Sequence, residues 1–143
     1  MNVMTILERK GNAVVTLETG AKVSDAVTLL RQHNIGALVV LDPSGAVAGI
    51  TSERDVVRLL ADSGSGSLDR PIEACMTAEP YVAAKDTSVD ELMSMMTQHR
   101  VRHLPVVEGG RLAGIISIGD VVKHHIAEVQ MEVTAMRDYL ATG

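Results

Sequence analysis

The order of apolar and polar residues along the chain repeats once. Residues 35–41 read IGALVVL and residues 101–107 read VRHLPVV, and a glycine-containing turn follows each run. The next apolar runs lead into matching sequences, GITSERD at 49–55 and GIISIGD at 114–120. Two copies of one pattern, offset by about 65 residues, predict two structural units of the same kind.

Both copies predict the same series of elements. A short strand (13–17 or 81–83) precedes a helix whose apolar residues recur at spacings of three and four, as on one helical face. Two strands joined by a turn follow, at 37–41 and 47–51 in the first copy and at 103–107 and 112–117 in the second. A second helix then begins at Asp55 or Asp120. The predicted fold is mixed α/β, with two β-α-β-β-α repeats.

A Gly/Ser-rich segment, ADSGSGSLDR, separates the copies. We expect the first repeat with its lead-in at 1–66, the second repeat at 67–127 and a C-terminal helical extension at 128–143. A unit of about 60 residues has only a small core. The two repeats are therefore expected to face each other about a pseudo-two-fold axis, with clefts between them.

The C-terminal segment continues an apolar pattern beyond the second repeat. Its apolar residues are spaced four, three, four, three and four apart: Val122, Ile126, Val129, Val133, Met136 and Leu140. This heptad-like stripe predicts one long helix. Two interpretations stay open, because the stripe can pack on its own repeat or contact another subunit.

Composition narrows the class of protein. Hydrophobic residues make up 46% of the 143 residues, yet Phe and Trp are absent, so the core must be aliphatic. The net charge of −5 argues against a general nucleic-acid surface, which needs clustered Lys and Arg. The single cysteine, Cys75, excludes an intramolecular disulfide and a cysteine-based metal site, and the scattered histidines suggest no metal.

Targeting signals are also missing from the pattern. No apolar run approaches the length that spans a bilayer, and charged residues come too early for a signal peptide. We therefore expect a cytoplasmic protein that does not insert into membranes. Neither a phosphate-binding Gly-x-x-x-x-Gly-Lys-Ser/Thr loop nor a Gly-x-Ser-x-Gly nucleophile motif occurs, so no catalytic activity is expected.

The repeated motif, at Gly49–Asp55 and Gly114–Asp120, lies where a strand leads into a helix. Glycine permits close backbone approach, and the N-terminus of a helix attracts anions. A carboxylate three residues after the serine can accept both hydroxyls of a cis-diol such as ribose. The same Ser-x-x-Asp spacing is also a helix-capping box, so a purely structural role is the alternative.

Together these segments resemble tandem cystathionine-β-synthase (CBS) domains, the Bateman module. The resemblance covers about residues 5–127 and is carried best by GITSERDVVR, IGALVVLDPSGAVAGI and VRHLPVVEGGRLAGIISIGDVVK. It implies a short stand-alone bacterial regulatory protein that binds an adenosine nucleotide: AMP, ADP, ATP, NAD(H) or S-adenosylmethionine. It also implies a homodimer formed through the repeats, and the C-terminal helix would extend that contact. The regulated partner is unknown, and the alternative is a dimerising scaffold with vestigial clefts.

By position in the family motif, the resemblance implies two nucleotide clefts. The first would use Ser52, Arg54, Asp55, Thr77, Pro80, Tyr81, Arg102 and His103. The second would use Ala13, Val14, Val15, Gly36, Ala37, Ser117 and Asp120. Since the second set has no cationic side chain, we expect the first cleft to hold the nucleotide phosphate more tightly.

Overall fold

The computed structural model describes residues 1–142; Gly143, the last residue of the expected extension, lies outside the described residues. Over that range the chain forms these helices and strands: α1 (Val3–Lys10), β1 (Thr16–Glu18), α2 (Val23–His33), β2 (Ala37–Leu41), β3 (Val47–Ser52), α3 (Glu53–Ser63), β4 (Thr77–Ala78), α4 (Val89–His99), β5 (His103–Glu108), β6 (Arg111–Ser117) and α5 (Ile118–Thr142). Two short 3-10 helices, Ser65–Asp69 and Ile72–Ala74, connect α3 to β4.

The strands form two sheets that correspond to the two repeats. The first sheet has the order β1-β2-β3-β4, with β1 parallel to β2 and the other pairs antiparallel. The second sheet is the antiparallel pair of β5 and β6. Ala83 adds a parallel bridge to Val106, at the place that β1 takes in the first repeat. The expected tandem mixed α/β fold with a C-terminal helix is confirmed.

Several element boundaries differ from the sequence predictions. The strand expected at 81–83 is reduced to the Ala83 bridge, and the preceding residues Thr77–Ala78 pair with β3 instead. Glu79, with φ of 49°, and Pro80 turn the chain between them. The strand expected at 13–17 spans only Thr16–Glu18. Both motif helices begin directly after the serine, at Glu53 and Ile118, because that serine caps the helix.

Each repeat is completed by the segment that leads into the other one. Helix α1, which the sequence did not predict, packs Val3, Ile6 and Leu7 into the core of the second repeat. Ile72, from the lead-in of the second repeat, packs in the core of the first. This exchange of lead-in segments joins the two repeats.

Helix α5 carries the predicted apolar stripe on an exposed face. Val121 and His124 are buried against the second repeat, whereas the stripe residues are between 43% and 69% exposed. The interpretation in which the stripe packs on its own repeat is therefore wrong for the single chain. Among residues 1–142, no helix combines the length and the apolar character needed to cross a membrane.

Candidate functional site

A cleft of about 820 Å³ lies between the two repeats at the start of α3. All eight residues that the sequence assigned to the first cleft line it: Ser52, Arg54, Asp55, Thr77, Pro80, Tyr81, Arg102 and His103. They come from the end of β3, the first turns of α3, the turn after β4 and the start of β5. We call it the first cleft.

Ser52 and Asp55 form a capping box at the floor of the first cleft. The Asp55 oxygen Oδ2 accepts hydrogen bonds from the Ser52 backbone N–H at 2.9 Å and from the Ser52 hydroxyl at 3.1 Å. The Asp55 backbone N–H in turn donates to the Ser52 Oγ at 3.3 Å. Among residues 1–142, no protein group hydrogen-bonds the other carboxylate oxygen of Asp55. The motif therefore caps the helix and still has a free acceptor.

Four arginines line the same cleft. Arg54 and Arg102 were expected, and the structure adds Arg58 and Arg100. Arg58 lies one helical turn after Arg54, a spacing that could have identified it from the sequence. Arg100 ends α4 in the left-handed conformation, with φ of 54°, which no sequence pattern predicted. Against these four cations the cleft has three carboxylates, Glu53, Asp55 and Glu79, although the whole chain carries a net charge of −5.

His103 lies half-buried beside Gly36 in the same cleft. A Cβ atom at Gly36 would stand 3.5 Å from the His103 Nε2 and 3.5 Å from a carboxylate oxygen of Glu53. Burial lowers the pKa of His103 below its ordinary value, and the positive charge of Lys10 adds to that effect. Gly36 was assigned to the second cleft, but the structure places it in the wall of the first.

Tyr81 and His99 form a stacked pair at the cleft. Their ring centroids are 3.7 Å apart, and the rings are inclined by 13°. Tyr81 is 51% exposed, so one aromatic face remains open to an additional planar group. His99 was read as a helix-end residue only, and it does lie in the last turn of α4.

The second copy of the motif is built in the same way. The Asp120 oxygen Oδ2 accepts from the Ser117 backbone N–H and from the Ser117 hydroxyl, both at 2.9 Å. Of the other residues assigned there, Val14 and Val15 are half-buried and Ala13 is exposed. Ala37 is buried and pairs with Ser52 in the first sheet.

The expectation that the second cleft has no cation was wrong. The Lys10 Nζ lies 2.7 Å from the Asp120 Oδ2. Burial opposes ionisation of Asp120, but hydrogen bonds from Lys10 and Ser117 hold its pKa below the ordinary value. Lys10 was missed because it precedes the repeat by sequence and reaches Asp120 only through the packing of α1.

A separate polar cluster joins α4 to α5. Atoms of Asp90, His125 and Glu128 that can bind metal lie within 4.8 Å of one another. In this structure Glu128 pairs with the Met1 amino group at 2.7 Å, and the His125 Nδ1 lies 3.9 Å from Asp90. The sequence predicted no metal site and did not predict this cluster.

Both repeats match a known family of domains. The sequence profile of the CBS domain matches residues 9–62 and 72–126, once for each repeat. The chain therefore belongs to the CBS-domain family and carries a tandem pair of these domains.

Relatives in other organisms share most of this chain. The mitochondrial CBS domain-containing protein CBSX3 of Arabidopsis thaliana is 37% identical over 129 residues, which cover 87% of this chain. The match spans only 63% of that relative's length. The crystal structure of the CBS-domain containing protein ATU1752 of Agrobacterium tumefaciens is 46% identical and superimposes with a TM-score of 0.82, covering 85% of this chain and 91% of that one.

Solved structures of the same fold include complexes with ligands. The CBS domain protein PAE2072 of Pyrobaculum aerophilum was crystallised in complex with AMP. It is 25% identical to this chain, has a TM-score of 0.75, and the match covers 84% of this chain and 89% of that one.

Proposed function

We propose that this chain is a non-catalytic regulatory module that binds one adenosine nucleotide in the first cleft. The observation that carries the proposal is that Arg54, Arg58, Arg100 and Arg102 line the same cleft as Asp55, which keeps one unengaged carboxylate oxygen. The complex of the Pyrobaculum relative with AMP supports the same ligand class.

The parts of a nucleotide match the chemistry of the cleft. The free oxygen of Asp55 accepts the ribose hydroxyls, while Ser52 holds the carboxylate in place. Arginine guanidinium groups bind phosphate with paired, charge-assisted hydrogen bonds, which are the strong ones. The exposed face of Tyr81, backed by His99, offers a stacking surface beside Thr77 and Pro80 for the adenine.

We further propose that the module acts as a homodimer joined through the stripe of α5. Six regularly spaced apolar side chains of this helix are exposed in the single chain, and an equal stripe is the partner that heptad spacing fits best. A nucleotide that binds one arrangement of the repeats more tightly than another shifts the dimer toward it, and a partner protein reads that shift.

Titration calorimetry of AMP, with adenosine for comparison, tests the proposal. We expect Arg102→Ala to weaken AMP about ten- to hundredfold, because a charge-assisted hydrogen bond contributes about 1.5–3 kcal/mol. Adenosine affinity should stay unchanged, since it has no phosphate. Asp55→Asn should weaken both ligands, because both contain the ribose. Arg111→Ala, an exposed arginine outside the cleft, serves as the matched control.

The capping boxes favour one alternative function, a dimerising scaffold whose motifs only cap helices. A thermal-shift screen separates the two. A ligand at 100 times its Kd stabilises the native state by about 2.7 kcal/mol, which is about 5–10 °C for a chain of this size. A folded protein that shows no shift with millimolar AMP, ADP, ATP, NADH or S-adenosylmethionine is a scaffold, and the proposal is then wrong.

A further inference from the structure

The two motif carboxylates differ by one cation. The Asp120 Oδ2 accepts three donors: the Ser117 backbone N–H, the Ser117 hydroxyl and the Lys10 ammonium at 2.7 Å. The Lys10 Nζ also donates to the Ile115 carbonyl oxygen at 3.0 Å. Asp55 accepts from Ser52 alone among residues 1–142. Lys10 therefore shares with Ser117 the one oxygen that caps the helix, and it gives Asp120 a charged partner that Asp55 does not have among residues 1–142.

The packing of α1 fixes Lys10 at this place. Lys10 is the last residue of α1, and the helix is anchored by the fully buried side chains of Val3 and Ile6. Leu7 lies so close to Gly114, the first residue of the motif, that a Cβ there would stand 2.8 Å from the Leu7 Cδ2. Only 30% of the Lys10 side chain and 21% of the Asp120 side chain are exposed. Both side chains are thus partly shielded from solvent, and the packing of α1 holds the lysine next to Asp120.

Among residues 1–142, Asp55 in the first cleft has no ion pair equivalent to the one between Lys10 and Asp120. The residue at the same distance before the repeat helix, 13 positions ahead of Val89, is Met76. Its thioether would touch a Cβ at Gly49, as Leu7 would at Gly114, but it brings no charge to Asp55. The lead-in segments therefore distinguish the two clefts as well as completing the two cores.

We propose that Lys10 competes with a nucleotide sugar for Asp120, so that the chain binds one nucleotide in the first cleft and its own ammonium blocks the second. This inference rests on the proposed nucleotide binding. Neutral ribose hydroxyls would have to displace a charge-assisted bond about twice as strong as a neutral one. They would also leave a partly buried ammonium without its counter-ion. Lys10 is thus the residue that sets the number and the identity of the nucleotide sites.

Calorimetric stoichiometry with AMP tests the role of Lys10. We expect the wild-type chain to bind one AMP and Lys10→Met to bind two, since this change removes the ammonium and keeps a long apolar side chain. Lys85→Met is the matched control, because it removes another ion-paired lysine, at Glu108, and should leave the stoichiometry at one. Adding Asp120→Asn to Lys10→Met should abolish the second site and return the stoichiometry to one.

Amide chemical shifts give a second measurement that needs no variant. Titrating AMP into the wild-type protein should move the amide signals of Ser52 and Asp55 much further than that of Asp120; Ser117 is not a reporter, because it pairs with His103 of the first cleft. Two sites in the wild type, or a folded Lys10→Met variant that still binds one AMP, would overturn the inference while the proposed function stands. A wild-type chain that binds no nucleotide at all refutes the proposed function itself, and the two failures are thereby distinguished.

Discussion

His103 is the residue whose charge should depend most on what fills the first cleft. Burial lowers its pKa first, and the positive charges of Lys10 and Arg102 act in the same direction. The negative charges of Asp120 and Glu53 oppose them and do not reverse the shift. The imidazole is therefore neutral at pH 7 in the empty cleft and can take up a proton when an anion arrives.

We expect the affinity for AMP to rise as the pH falls through the pKa that His103 has in the complex. A bound phosphate raises the pKa of His103 above its value in the empty cleft, so binding takes up a proton between those two pKa values. Each proton taken up changes affinity by at most about tenfold per pH unit. The measurement is the Kd of AMP against pH for the wild type and for His103→Gln.

Comparing the wild type with His103→Gln removes the effect of phosphate titration, because free AMP titrates equally in both series of Kd measurements. The ratio of the two Kd values should therefore change with pH. Parallel profiles would show that His103 stays neutral in the complex and that the arginines alone bind the phosphate.

At the scale of elements, β3 and β6 each bring a glycine against the lead-in of the other repeat. A Cβ at Gly49 would stand 2.7 Å from the Met76 sulfur and 2.8 Å from the Thr77 carbonyl oxygen. A Cβ at Gly114 would meet the Leu7 side chain only, at 2.8 Å and 3.0 Å from its two methyl groups. The side chain of Leu7 can rotate, but the backbone oxygen of β4 is held by pairing with β3.

We expect Gly49→Ala to destabilise the fold by about 1–3 kcal/mol and Gly114→Ala by less, because overpacking costs most where the neighbour cannot move. Gly66→Ala is the control, since nothing lies within 4 Å of a Cβ there and its φ is not left-handed. Urea unfolding of the three variants measures the free energies. Equal losses for the first two variants would mean that Leu7 is held as rigidly as the backbone.

The elements also show which parts of the fold the sequence predicts. Local periodicity predicts strands β2, β3, β5 and β6 and helices α2 and α4, because each of these elements buries one face. The two-residue strand β4 is produced by pairing with Gly49 and Ile50, so no local pattern marks it. Helix α1 is short, and its apolar residues are buried by the second repeat rather than by a partner nearby in sequence.

The sequence likewise predicts only part of the candidate site. The eight residues assigned to the first cleft lie in the repeated motif or at positions that match between the two repeats. Their place in the fold can therefore be inferred from the repeat itself. The Lys10–Asp120 contact joins residues 110 positions apart and depends on how α1 docks. Arg100 reaches the cleft because α4 ends there in a left-handed residue, where Asn34 ends α2 in the first repeat. Such features are properties of the assembled repeats.

The whole molecule presents one feature that a single chain leaves unpaired, the stripe of α5. The helix spans 25 residues, about 38 Å, and its first turns pack on the second repeat. The exposed stripe runs from Val122 to Leu140, and its first two residues, Val122 and Ile126, line a groove together with Ile118 and Ala127. Large contiguous apolar surfaces of this kind mark protein interfaces.

We expect Met136→Glu to convert a dimer into a monomer, because a buried carboxylate facing its symmetry copy is strongly unfavourable. Met131→Glu is the matched control: Met131 and Met136 are both 63% exposed, but Met131 lies on the opposite face of α5. Sedimentation velocity at micromolar concentration measures the outcome. If the wild type is already a monomer, or if Met131→Glu dissociates the dimer as fully as Met136→Glu does, the stripe is not the dimer contact. The dimer would then have to form through other surfaces of the repeats, and coupling between nucleotide and partner could not pass through α5.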